Sequence, residues 1–409
     1  MLKRGALSPY WLLVILTGLN LFNYLDRYVV NQVLDPIQRE FSLSDAQGGR
    51  LNTAFMIGYF LTAPFFGYLG DRITRKWLVA AGIFVWSLGT VLTGLASGFH
   101  SLLAYRVLTG LGEASYAAIS PSLISDVYGP AKRNNALTVF YVAIPIGAAL
   151  GYLVGSQVGG AWGWRYAFIV AGLPGLVLAL ILLPFREPER GQSEAARQDS
   201  MSKPGWRDVF KLLRLPDYNL VVWGYVAYTF AMAAFGFWAP TYLIRLLGMS
   251  QQQSGTFFAA LVGLAGILST FGGGFAATAW HKRNRAAYAL LLGISTLLAV
   301  PFATIAFLAG SKAAFMIGLS AAIFLLFLST GPVNTLIVET APLNLRASAM
   351  ALSIFMIHLF GDFWSPEIVG ALSDSFGLNR AVLVLPVVLL LGGGLWMGLA
   401  LKTLKTRTS

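Results

Sequence analysis

Asp26 and Arg27 stand side by side in NYLDRY, residues 23–28, inside a stretch that begins at Pro9 and otherwise reads YWLLVILTGLNLF. Arg106 and Glu113 lie seven residues apart in AYRVLTGLGEASY. Seven residues make two helical turns, so on a helix this second pair shares a face, about 10 Å apart along the axis. Adjacent helical residues point about 100° apart, so Asp26 and Arg27 cannot pair across one face and each needs a partner on another element. Depth counted from the ends of the apolar stretches expects Asp26 near Arg106 and Arg27 reaching toward Glu113. The four charges sum to zero, which is how ions are tolerated among apolar residues. Burial and the neighbouring arginines act on the carboxylates in opposite directions, which leaves Asp26 and Glu113 poised to exchange protons. The guanidiniums keep their charge throughout. Protonating both carboxyls exposes two positive charges, and Arg27, assisted by Arg106, is then expected to hold an anionic headgroup, phosphate or carboxylate.

The elements around these residues are set by composition. Of 409 residues 56% are apolar and only 11% charged, with a mean hydropathy of +0.68, whereas a soluble domain carries about 25% charged residues. Apolar stretches of roughly 20 residues, long enough to cross about 30 Å of hydrocarbon, recur near 9–33, 47–70, 77–98, 101–125, 135–159, 164–185, 218–243, 251–278, 286–309, 313–339, 347–371 and 379–401. None shows the alternation of a barrel strand. The expected fold is an all-α membrane protein with 12 transmembrane helices. The net charge of +12 reports topology: 21 of 29 basic residues fall in tails and loops on the side of the N-terminus, against six (Arg39, Arg50, Arg165, Arg245, Lys312 and Arg380) on the other. That excess marks the cytoplasmic face, so both termini are expected there and no nucleic-acid partner is implied. The first stretch is too long for a signal-peptide core and no small-residue cleavage site follows it, so it counts as the first helix. With no cysteine, disulfides and thiolate catalysis are excluded.

The chain reads as a duplication. SLISDVYGPAKRNNAL at 122–137 aligns without gaps to TLIVETAPLNLRASAM at 335–350, an offset that matches Asp126 to Glu339 and Arg133 to Arg346. Two six-helix bundles follow, 1–185 and 218–409, with 186–217 as a polar cytoplasmic linker and a short amphipathic helix around WRDVFKLL. GYLGDRITRK at 67–76 resembles the signature between helices 2 and 3 of the major facilitator superfamily, and the resemblance covers essentially the whole chain. It implies the major facilitator fold, alternating access and a substrate site at the midplane between the halves. Asp71, Arg72 and Arg75 are expected to pair with helix ends and opposite charges at a cytoplasmic gate, with Asp126, Arg133, Glu339 and Arg346 as partners. The second-half counterpart, GGFAATAWHKRN, lacks the aspartate.

The same offset maps Arg106 to Leu319 and Glu113 to Leu326, and brings Asp26 to the region of Ala234, near Phe230 and Phe235. A cavity charged on one wall and apolar on the other suits an amphiphile with an anionic head, its tail against Phe230, Phe235, Leu319 and Leu326. NYLDRY, GYLGDR, GEASYAAISPSLISDVY, FYVAIPIGAALGY and REPERG resemble the spinster family of lysolipid and sphingosine-phosphate transporters. That resemblance implies export or redistribution of lysophospholipids or sphingoid phosphates, proton-linked in some members, with binding and coupling roles for Asp26, Arg27, Arg106 and Glu113. Bacterial proton-coupled symporters of sugar acids and organic anions share the N-Y-x-D-R and Arg-x6-Glu patterns and provide the alternative reading. His358 and Asp362, four apart, share a helix face and are candidates for a second protonation site. Gly147, Gly151, Gly155 and Gly159 form a close-packing stripe near Pro145. The histidines are too scattered for one catalytic site, and no metal-ligand spacing or phosphate loop is present, so neither enzymatic activity, cofactor nor metal is expected. The partners expected are the lipid or organic anion, protons and the bilayer, with the chain monomeric in a bacterial inner membrane.

Overall fold

The computed structural model describes residues 8–70, 72–182, 187 and 206–405. Every regular element among them is helical. Ten segments are long and apolar enough to cross a membrane. Two more helices, α1 (Pro9–Phe41) and α4 (Phe99–Val127), are long enough at 33 and 29 residues but less apolar. Their polar content is the reason: α1 buries Asn20, Asn23, Asp26, Asn31 and Gln32, and α4 buries Arg106 and Glu113. The chain is an integral, multi-pass membrane protein.

The chain falls into two compact units, Met1–Asp199 with Ser250–Ala259, and Ser200–Met249 with Ala260–Ser409. The first contains α1, α2 (Asp45–Gly70), α3 (Arg75–Gly94), α4, α5 (Pro130–Trp162) and α6 (Trp164–Leu182). Helix α1 starts where Pro9 fits the first turn and Ser8 Oγ accepts from Trp11 N at 3.4 Å, and it runs eight residues past the expected end at 33. At 1.5 Å per residue it is about 50 Å long. Helix α2 packs along α4, α1 along α5, and α3 against both α4 and α6. Glycine permits the closest of these contacts: a Cβ on Gly110 would lie 2.0 Å from Phe55 O, and one on Gly151 2.6 Å from Leu25 O. The α5 stripe therefore lets α1 approach and fixes the height of Asp26 and Arg27. Below them Trp86, Tyr116, Phe140 and Leu16 form an apolar core.

The second unit holds α7 (Trp206–Lys211), α8 (Pro216–Arg245), most of α9 (Gln251–His281), α10 (Ala287–Leu308), α11 (Lys312–Phe327), α12 (Thr330–Glu339), α13 (Arg346–Ile357), α14 (Ser365–Phe376), α15 (Leu378–Ala381) and α16 (Val384–Lys405). Helix α8 packs on α16, and α10 on α16 and α11. Trp396 of α16 donates Nε1 to Val221 O at 3.0 Å and covers Gly224. Most of the expected linker, 186 and 188–205, lies outside the described residues. Beyond it, α7 and the 3-10 turn Leu212–Arg214 bury Leu212 while Phe210, Lys211, Leu213 and Arg214 stay exposed.

Three expected helices are interrupted, 379–401 near its start between α15 and α16, and the other two in mid-span. The stretch 313–339 breaks between α11 and α12, where Pro332 lacks an amide hydrogen and its ring crowds the carbonyl of residue 328. Ser329 N turns instead to Leu326 O at 3.0 Å. Tyr228 of α8 donates its hydroxyl to the same carbonyl at 3.1 Å, and Ser295 and Ser329 share a hydroxyl bond at 3.0 Å. Such substitutes are required where water is excluded. The stretch 347–371 is broken by a π turn, His358–Asp362, closed by Phe363 N donating to His358 O at 3.1 Å. Pro366 sits four residues after Asp362 and disturbs the ladder there in the same way.

Candidate functional site

The site in the first unit is built from four helices. Arg27 projects from α1 to Glu113 of α4: its Nη2 donates to Glu113 Oε2 at 2.7 Å and its Nε to the same oxygen at 3.3 Å. The guanidinium lies over three rings, Tyr24 at 5.0 Å, Phe55 at 4.9 Å and Tyr59 at 5.5 Å from the centroids. Arg106 lies over Phe55 at 4.8 Å and directs Nε to Leu51 O at 3.4 Å. The two cations thus share one aromatic ring, whose negative face offsets the cost of holding them away from water. Close approach of α2 to α4 at Gly110 puts Phe55 there.

Asp26 meets α3 as well as the arginine expected near it. Thr90 Oγ1 of α3 donates to Asp26 Oδ2 at 3.3 Å, and among the described residues no ion pair joins Asp26 to Arg106. Arg106 interacts electrostatically with Asp26 and Glu113 without that direct bond. The packing of α3 against α4 adds Thr90 to the groups that meet Asp26.

Burial divides the four. Asp26, Arg106 and Glu113 are sealed, at 1%, 2% and 0% exposure, while 23% of the Arg27 side chain is accessible. Both carboxyls are shut from solvent, and Trp86 and Asn23 approach Asp26 and Glu113 respectively as further hydrogen-bonding neighbours. The arrangement thus sets two sealed carboxyls beside one arginine with an accessible edge.

A second cluster in the first unit surrounds Arg75. Its Nη2 lies 2.6 Å from Asp126 Oδ2, its Nε donates to Glu187 Oε1 at 2.9 Å and its Nη1 to Ser122 Oγ at 3.3 Å. Glu187 Oε2 also accepts from Lys76 N at 3.1 Å. Arg133 bonds the end of α4 through Ser125 O and Tyr128 O at 3.2 and 3.4 Å, and Arg72 lies over the Tyr68 ring at 4.0 Å. Asp71 lies outside the described residues. In the second unit, Glu339 faces His281 at 3.8 Å and Arg346 opens α13, exposed.

The apolar residues expected to meet a lipid tail divide likewise. Phe235, Leu319 and Leu326 are sealed in the core of the second unit, Phe235 stacked on Phe307 at 5.7 Å. They present no surface, because α8, α10 and α11 close over the positions where the first unit holds charges. Phe230 alone of the four is half-buried, and with Trp223 and Phe360 it lines an apolar groove of about 690 Å³ along α8 and α16. His358 Nδ1 lies 2.9 Å from Asp362 Oδ2 across the π turn. Sequence reasoning missed Thr90, Phe55, Tyr24, Tyr59 and Glu187. Tyr24 was in reach, three residues before Arg27 on the same face, and Glu187 in REPERG; the others depend on which helices touch.

The sequence model of the Major Facilitator Superfamily matches residues 16–366. The chain is similar to protein spinster homolog 1 of Xenopus laevis, 33% identical over 97% of this chain and 81% of that protein. It is also 33% identical to the sphingosine-1-phosphate transporter SPNS2 of Danio rerio, over 95% of this chain and 83% of that one. Among solved structures, a bacterial homologue of the human lysosomal transporter spinster, crystallised inward-facing and unoccupied, superposes with a TM-score of 0.87 at 25% identity, covering 97% of this chain and 98% of that one.

Proposed function

Because the chain belongs to the spinster family of the major facilitator superfamily, a family of transporters, we propose that it moves an anionic amphiphile, a lysophospholipid or sphingoid phosphate, across the membrane by alternating access coupled to protons. The observation that carries this reading is the sealed pair of carboxyls beside one accessible arginine. Asp26 and Glu113 carry the proton. Arg27 holds the headgroup through its accessible edge, and Arg106, locked on Phe55, supplies positive potential and assists. When the carboxyls are protonated, Arg27 is released from Glu113 and an anion replaces it. The SPNS2 relative is named for a phosphate-bearing lipid, whose phosphate oxygens would accept from a guanidinium.

In this reading the halves divide at 186–217, both termini are cytoplasmic by the distribution of basic residues, the membrane is a bacterial inner membrane and the unit of transport is a monomer. Arg72 and Arg75 with Asp126, Arg133, Glu339 and Arg346, together with Asp71, form the cytoplasmic gate, and Glu187 extends it. His358 and Asp362 supply a second protonation site. The tail lies in the second unit against Phe230.

One observation favours the organic-anion alternative: sealing Phe235, Leu319 and Leu326 removes three of the four residues expected to receive a tail. Transport by purified protein in liposomes separates the two. A lysophospholipid panel should compete with labelled substrate under an imposed pH gradient while sugar acids should not; preferential uptake of a sugar acid would promote the alternative.

A further inference from the structure

A charged concavity lies apart from the four-helix cluster. Helix α9 ends at His281, and the chain turns through Lys282, Arg283, Asn284 and Arg285 before α10 begins at Ala287. This turn and Thr403 of α16 line a cavity of about 540 Å³. The turn is held in shape: Arg283 N and Asn284 N both donate to Trp280 O, at 2.9 and 3.0 Å, and Asn284 Oδ1 accepts from Ala286 N at 2.9 Å. Lys282, Arg283 and Arg285 are exposed, and among the described residues no ion pair engages them. The nearby carboxylate of Glu339 faces His281 instead.

Topology alone asks for basic residues near a helix end. It asks neither for a concave surface nor for convergence with a second helix end. The same end of α9 exposes Phe275 and Trp280, and an aromatic residue beside basic ones marks the depth of the membrane–water boundary. We propose that this cavity binds a phosphate-bearing anion, either the headgroup of an anionic phospholipid or a free phosphate compound of the same chemistry. The two guanidiniums offer forked donors to phosphate oxygens and Lys282 a compact charge, and basic pockets at such depth suit anionic headgroups.

The test uses the full chain in nanodiscs of phosphatidylcholine containing a minor fraction of phosphatidylglycerol, with lipid retained on release read by native mass spectrometry. Inorganic pyrophosphate is titrated in parallel onto protein in neutral detergent. Wild type should retain phosphatidylglycerol over phosphatidylcholine, and Lys282→Gln/Arg283→Gln/Arg285→Gln should lower that preference about tenfold or more. Thr403→Trp, which fills the cavity and keeps its charges, should lower it as well and serves if the triple variant fails to fold. Removing three exposed charges elsewhere, Lys132→Gln/Lys211→Gln/Arg214→Gln, should leave it unchanged. Binding of pyrophosphate in detergent would identify a free phosphate compound as the ligand class, and binding in nanodiscs alone the lipid headgroup. No preference in either arm, or equal loss in the control triple, would overturn the site.

Discussion

Arg27 is the one member of the buried cluster with accessible surface, and that decides which substitutions inform. Truncating it takes from Glu113 the guanidinium that bonds it, which destabilises the fold whatever its role. Arg27→Lys keeps the charge and loses the fork, so binding of a lysophospholipid phosphate should weaken about tenfold, the size of one charge-assisted hydrogen bond, as read by competition titration. Wild-type affinity in that variant would remove the forked contact from the account. Glu113→Gln tests the proton. In wild type, protonation frees Arg27, so affinity for an anion should rise as pH falls; the Gln amide mimics the protonated carboxyl, so the variant should bind nearly as well at high pH and its pH profile should flatten. Asp26→Asn keeps an oxygen for Thr90 Oγ1 and should flatten the profile less if Glu113 carries most of the coupling. Dissociation constants measured over a pH series for the three proteins order the two carboxyls. The pairing of Arg27 with Glu113 was legible from charge and two-turn spacing. Thr90 was not, because a threonine in an apolar helix carries no sign of the carboxylate it will face.

At the scale of elements, the glycine stripe of α5 was readable because its spacing of four keeps one face small, and the structure lays that face on α1. Gly151→Ala would put a Cβ 2.6 Å from Leu25 O, and overpacking of this kind costs about 1–3 kcal/mol. Its melting temperature in detergent should fall. Gly18→Ala, with nothing within 4 Å of the added carbon, should leave it unchanged or slightly raise it through helix propensity. Equal behaviour of the two would mean that the α1–α5 contact does not fix the height of Asp26 and Arg27. The interruptions at Leu328–Ser329 and His358–Asp362 were not legible in the apolar pattern, which continues through both. Their signals are Pro332 and Pro366, and a proline shows that a helix is disturbed without showing whether it breaks, kinks or takes a π turn. Leu319 and Leu326, expected on an apolar wall, are sealed: a pseudo-repeat carries a position across but not its exposure, and apolar residues in place of charges let the helices close.

For the whole molecule, the helical fold and its membrane setting followed from hydropathy. The nature of the cargo did not, because a tail surface is a property of packing. If the cargo is an amphiphile, affinity should rise about fourfold per methylene, at about 0.8 kcal/mol each, until the chain outgrows its surface. Phe230→Asp, at the half-buried edge of the apolar groove, should flatten that series with less damage to the core than a charge at sealed Leu326. The most direct measurement is lysophospholipid uptake into liposomes holding purified protein, with and without an imposed pH gradient, for wild type and Glu113→Gln. The account predicts that the gradient accelerates wild-type uptake and has little effect on the variant. Uptake indifferent to the gradient in wild type, or equally gradient-driven in both proteins, would contradict it.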